Sequence, residues 1–139
     1  MTRTMGLDVG DRRIGVALSD PTGMLASPHT IIERQDELKD IEAILAIVSQ
    51  NQVQRIIIGL PRSMSGNIGA QAEKVIAFAK ALSNSTKVPT EFRDERLTTK
   101  EAQRLMQANE SKKGRKKGRD DAIAAALILQ GYLDEIRNV

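Results

Sequence analysis

The sequence predicts an α/β fold, a mixed five-stranded sheet with helices on both faces, and three observations carry that prediction. The chain opens on short apolar runs separated by two turn signals, which read as an antiparallel three-strand meander. The period of the apolar residues then changes, giving helix, strand, helix, strand and two final helices. A strand that returns after a helical crossover runs parallel to an earlier one, so a meander followed by such crossovers makes a mixed sheet.

Residues 4–9 (Thr-Met-Gly-Leu-Asp-Val) and 14–19 (Ile-Gly-Val-Ala-Leu-Ser) form the first hairpin around Gly10-Asp11-Arg12-Arg13. Asp20-Pro21-Thr22-Gly23 has the residue order of a type I turn and leads into a third strand near 24–32. Leu38, Ile41, Ile44, Leu45 and Val48 mark an amphipathic helix from about 36 to 51, with Asp36 as its N-cap. Arg55 to Leu60 is short and β-branched, a central strand buried on both faces. Pro61 to Gly66 is a loop, and Ala72, Val75, Ile76, Ala79 and Leu82 give a second helical stripe that ends near Asn84-Ser85. Val88 to Glu95 is a polar, edge-like fifth strand with Pro89 near its start. Thr98 and Glu101 have capping-box spacing and open a helix to about Asn109. A last helix starts at Asp120 or Asp121 and runs through Leu133. The 139 residues are expected to form one domain.

Composition narrows the chemistry. Cysteine is absent and His29 is the only histidine, so thiolate catalysis, disulfides and Cys/His zinc sites are excluded. A metal here is held by oxygen, which points to Mg2+ or Mn2+. Three scattered aromatics, Phe78, Phe92 and Tyr132, are too few for gripping a single strand by base stacking. Gly6, Gly10 and Gly15 lack the spacing of a dinucleotide-binding turn. The net charge of +3 is uneven: Lys112, Lys113, Arg115, Lys116, Lys117 and Arg119 make residues 112–119 a +6 segment, leaving −3 on the remainder. Six cations in eight residues favour contact with a polyanion over a merely solvated surface. The longest apolar run, Ala122–Leu129, has eight residues, too few to span a membrane, and the first residues lack the apolar stretch of a signal peptide. A cytoplasmic protein is expected.

The acids are the candidate site. Asp8 lies inside the first strand and shares a face with Gly6 and Gly10, while Met5, Leu7 and Val9 point to the other. A carboxylate there costs desolvation unless it is compensated, either by a cation such as Arg12 or Arg13 or by a metal, with the glycines leaving room for substrate. Asp94 and Glu95 end the fifth strand on opposite faces, and alternation does not choose between them. Of Asp120 and Asp121, the first suits the N-cap of the last helix, while the second shares a face with Ala124, Ala125, Ile128 and Tyr132 and is carried toward the strand ends. Carboxylates converging from such distant positions repel one another unless divalent cations lie between them. Two such ions about 3.5–4 Å apart support phosphodiester hydrolysis without a side-chain nucleophile.

Four motifs in order resemble the YqgF/RuvX family of the ribonuclease H-like superfamily, related to RuvC Holliday-junction resolvases. They are Gly6-Leu7-Asp8-Val9-Gly10 with Ile14-Gly15-Val16-Ala17; Gly59-Leu60-Pro61 with Gly66; Asp94-Glu95-Arg96-Leu97-Thr98-Thr99; and Asp121 with Ala125, Ile128-Leu129 and Tyr132-Leu133. The resemblance implies a ribonuclease H-like sheet and a metal-dependent nuclease proposed to process the 5′ end of pre-16S ribosomal RNA. Holliday-junction resolution on DNA is the alternative it carries, and a non-catalytic RNA-binding accessory factor is a third reading. It matches Asp8, Glu95 and Asp121 to the family's acidic positions and so selects Glu95 over Asp94. Many superfamily nucleases take their second acid from the end of the fourth strand, where this chain has Gly59-Leu60-Pro61. With that site, Arg62, Arg96 and the 112–119 segment are expected to contact phosphates. The expected partner is nucleic acid, structured RNA ahead of branched DNA and ribosomal precursor particles among its sources, bound by a monomer or homodimer. Asp8-Val9-Gly10 is also similar to the phosphate loop of sugar kinases and actin-like ATPases, but those folds need a second duplicated domain.

Overall fold

The computed structural model describes residues 3–61, 68–95 and 119–137. Their elements follow the order β1 (Arg3–Val9), β2 (Arg13–Ser19), β3 (Ala26–Glu33), α1 (Glu37–Gln50), β4 (Val53–Leu60), α2 (Ala70–Asn84), β5 (Thr90–Asp94) and α3 (Arg119–Arg137). The strands make one sheet in the order β3-β2-β1-β4-β5. β1 pairs antiparallel with β2, and β2 with β3; β4 runs parallel to both β1 and β5. The mixed sheet expected from the meander and the crossovers is therefore present.

Local chemistry accounts for the turns. The Gly10 amide donates to the Arg13 carbonyl at 2.8 Å. A Cβ on Gly10 would stand 2.9 Å from that oxygen, so the tight hairpin needs glycine there. In the second turn Gly23 donates to the Asp20 carbonyl at 3.0 Å and takes a φ of 75°. The Asp20 carboxylate accepts from the Thr22 hydroxyl and from the Met24 and Leu25 amides. These bonds hold its pKa down at about 2. They also keep Met24 and Leu25 in the turn, and β3 begins at Ala26.

Asp36 caps α1 by accepting from the Lys39 amide at 2.9 Å. Ile41, Ile44 and Val48 are buried as expected, but Leu38 is 67% exposed and belongs to the solvent face. Asp40 is buried instead, paired with Arg34. Ile56, Ile57 and Ile58 of β4 are all fully buried, which only a central strand covered on both faces allows. Pro89 lies just before β5, where its carbonyl accepts from the Ile56 amide at 2.9 Å. β5 is the sheet edge.

The two faces bury separate cores. On one, Met5, Leu7, Ile14, Val16, Ile56 and Ile58 pack with α1 and α2. On the other, Ala17 and Ile57 pack with Ala125, Ile128, Leu129 and Leu133 of α3. The helix already includes Arg119, so Asp120 lies within its first turn rather than at the N-cap. The loop residues 62–66 and the helix expected over 98–109 lie outside the described residues.

Candidate active site

Asp8 points to the α3 face of the sheet, opposite Leu7 and Val9, which join the α1/α2 core. Its partner on β2 is Gly15. On β4 the register Leu7↔Ile58 places Gly59 at the next step, beside Asp8. Each flanking glycine is covered by another acid. A Cβ on Gly15 would fall 1.9 Å from the Asp121 carbonyl oxygen. One on Gly59 would fall 2.4 Å from Ile128 Cδ1 and 2.9 Å from Glu95 Oε1. The bare positions on either side of Asp8 are thus seats, one for the backbone that carries Asp121 and one for the Glu95 carboxylate.

That arrangement corrects the expectation that glycines near Asp8 leave room for substrate. A Cβ on Gly6 would stand 2.8 Å from both the Ala125 carbonyl and Leu129 Cβ, so Gly6 admits the helix, and Gly10 serves the hairpin. Arg13, one of the cations that could have compensated Asp8 in place of a metal, pairs instead with Glu33 at 3.2 Å.

Glu95 directly follows Asp94, the last residue of β5, and its carboxylate lies over Gly59 on the same face as Asp8. Arg93, two residues earlier, pairs with Glu135 of α3 and lies across Gly131, where a Cβ would stand 2.8 Å from the guanidinium. The next residue on that face is Glu95, and it reaches Asp8 over Gly59. The choice that alternation left open between Asp94 and Glu95 is resolved spatially by α3.

The electrostatics follow from this crowding. The Asp8 carboxyl is pushed up from 3.8 to about 7, first by burial, then by the negative field of Glu95 and the hydrogen bond to it, and last by the field of Asp121. Glu95 is also raised, chiefly by burial; the bond from Asp8 opposes that rise and Asp94 adds to it. The Asp8 hydroxyl donates to the Glu95 carboxylate, and the proton belongs to the pair. Asp121 supplies the third acidic group felt by Asp8. Among the described residues no three His, Cys, Asp or Glu side chains are arranged as a ready metal cage. Instead, the Asp8–Glu95 bond turns two of the candidate oxygen donors onto each other.

Of the expected phosphate contacts, Arg119 opens α3, two residues before Asp121. Arg62, Arg96, Lys112, Lys113, Arg115, Lys116 and Lys117 lie outside the described residues. Sequence reasoning missed Arg34 and Asp40. An acid inside the apolar stripe of α1 was the available signal. A concavity of about 320 Å³ lined by Arg3, Pro21, Gln50, Asn51 and Gln52 contains none of the three acids.

A mixed sheet in this order, with acids at the ends of parallel strands and a last helix seated on glycines, defines an α/β protein of the ribonuclease H-like fold class. Its fold is similar to that of T. thermophilus RuvC in complex with a Holliday junction substrate: TM-score 0.66 at 11% identity, covering 97% of this chain and 96% of that one. The chain belongs to the RuvX family, described as Holliday junction resolvase, and matches it over residues 2–135. A relative in Dehalococcoides mccartyi, named "Putative pre-16S rRNA nuclease", is 54% identical over 127 residues, or 91% of this chain and 94% of that protein. A relative of the same name in Caldanaerobacter subterraneus is 44% identical over 137 residues, or 98% and 99%.

Proposed function

We propose that this chain is a divalent-metal-dependent nuclease that hydrolyses phosphodiester bonds at the 5′ end of pre-16S ribosomal RNA. The supporting observation is the seat around Asp8: two glycines bring Glu95 and the Asp121 backbone against a half-buried carboxyl that keeps its proton to about pH 7. Once the shared proton leaves, carboxylates so crowded need a compensating positive charge. The donor set is entirely carboxylate oxygen, which suits Mg2+ or Mn2+, with Asp8, Glu95 and Asp121 as the holding residues. When bound, such an ion activates water and stabilises the leaving oxygen. Asp8 and Glu95 must first release their shared proton and turn outward. Arg62, Arg96 and the basic residues Lys112, Lys113, Arg115, Lys116, Lys117 and Arg119 would hold phosphates and bring the polymer to the sheet edge. This reading takes residues 1–139 as one catalytic domain acting in the cytoplasm as a monomer or homodimer. The names of the relatives support the RNA substrate. The family description and the likeness to RuvC support a second reading, resolution of branched DNA.

The test is parallel cleavage of precursor 16S RNA, four-way junction DNA and linear DNA, with Mg2+ or Mn2+, by wild type and Asp8→Asn. Cleavage of the RNA by wild type alone is expected. Cleavage of junction DNA alone would favour the second reading. Equal cleavage by both proteins would remove Asp8 from the site.

A further inference from the structure

The segment joining β3 to α1 holds a buried ion pair that the proposed chemistry does not use. Asp40 is 2% exposed, in the first turns of α1. One carboxylate oxygen accepts from Arg34 Nε at 3.1 Å and the other from the Gln35 amide at 2.9 Å. Capping does not explain Asp40, because Asp36 already caps the helix. The Arg34 guanidinium also lies over the Phe78 ring of α2, 4.9 Å from its centre. A further bond goes to the first hairpin: Nη1 donates to the Gly10 carbonyl at 2.9 Å. The Arg34 backbone amide donates to the Arg12 carbonyl, also at 2.9 Å. One residue thus holds two carbonyls of the turn that follows Asp8 by two positions, while α1 and α2 fix the guanidinium itself.

Stability alone is a weak reason for this arrangement, since apolar residues of similar volume often serve as well as a buried ion pair. What apolar residues lack is the directional bond to Gly10. The first turn is the only covalent continuation of β1 beyond Asp8, and its displacement would move the Asp8 carboxyl relative to Glu95 and Asp121, which reach it from other elements. We propose that Arg34 is a positioning residue: fixed by Asp40 and Phe78, it clamps the Gly10 turn and so sets Asp8 in register with Glu95 and Asp121. The link from Asp8 to catalysis rests on the nuclease reading above. The clamp itself does not.

Two variants of the full chain separate positioning from folding. Arg34→Lys keeps a cation opposite Asp40, but a single ammonium does not reproduce the planar fork that reaches Asp40 and Gly10 together. The double variant Arg34→Met/Asp40→Leu removes both charges together, so neither ion is left buried alone, while the Gln35 amide and the Gly10 carbonyl lose their side-chain partners. The double variant is expected to fold, melting within a few degrees of the wild type, because the ion pair it removes contributes little net stability. In both variants kcat with Mg2+ should fall by roughly 10- to 100-fold while KM stays within about twofold, as expected for misplacement of a reacting group by a fraction of an ångström to 1 Å. Hydrogen exchange at the Gly10 amide, bonded to Arg13 in the wild type at 2.8 Å, should accelerate. A folded double variant with wild-type kcat and unchanged Gly10 exchange would overturn the proposal. If wild type cleaves no substrate, the nuclease reading fails by itself and exchange decides the clamp: faster exchange at Gly10 upholds it, and unchanged exchange overturns it.

Discussion

Replacing Asp8 by Asn should inactivate the protein and stabilise it, by an amount that depends on pH. A rise from 3.8 to about 7 costs the ionised folded state about 4 kcal/mol, at about 1.4 kcal/mol per pH unit. The folded carboxyl binds its proton more tightly than the unfolded one. Its contribution is therefore most favourable below pH 3.8, declines between about 4 and about 7, and is at its worst above 7. Linkage places less than half of the loss by pH 5 and most of the remainder by pH 8. Asn keeps the shape and donates an N–H to Glu95 without titrating. In chelator, the stability of Asp8→Asn relative to wild type should rise by roughly 2–3 kcal/mol from pH 5 to pH 8, read by urea unfolding at each pH. Added Mn2+ should narrow the difference by stabilising wild type alone. A difference that stays constant with pH, or a variant less stable than wild type at pH 8, would refute the claim that Asp8 is a half-buried, crowded acid.

The glycine seats and the neighbouring acids give further expectations. Gly15→Ala places a methyl group 1.9 Å from the Asp121 carbonyl and should destabilise the fold by about 1–3 kcal/mol or more, measured by urea unfolding. Gly59→Ala meets Glu95 Oε1 at 2.9 Å, so loss of cleavage should exceed what its melting curve explains. Glu95→Gln should lower kcat by on the order of 100-fold or more, whereas Asp94→Asn should retain most activity; similar losses in single-turnover cleavage would contradict the facing of β5. Neutralising the cations of 112–119 should flatten the dependence of log affinity on log salt by roughly 0.7–0.9 for each phosphate that is no longer neutralised. An unchanged slope would make that segment an ordinary solvated surface.

Much of the fold was legible because its signals are local. Asp36 caps the helix that the period of Ile41, Ile44 and Val48 marks, and a strand of three consecutive isoleucines has to be covered on both faces. Leu38 fits the same periodicity but lies beyond the edge of the buried face. Asp40 takes a buried place because a partner six residues away, Arg34, compensates its charge, and periodicity does not encode pairing. At the site, the facing of Asp8 away from Leu7 and Val9 and the core they join followed from alternation. The choice of Glu95 over Asp94 did not, since it depends on which face of β5 the last helix covers. The purpose of Gly15 and Gly59 was hidden for the same reason: each makes room for something far away in sequence, a helix backbone in one case and a carboxylate in the other.

The claim that Asp8, Glu95 and Asp121 form one metal centre is tested most directly by calorimetric titration of Mn2+ into the nucleic-acid-free chain at pH 6, in buffers of different ionisation enthalpy. Wild type should bind the ion and release close to one proton per site, because the proton held by the Asp8–Glu95 pair has to leave. Asp8→Asn and Asp121→Asn should each lose binding and proton release together. Binding that survives both substitutions, or that proceeds in wild type without proton release, would contradict the account.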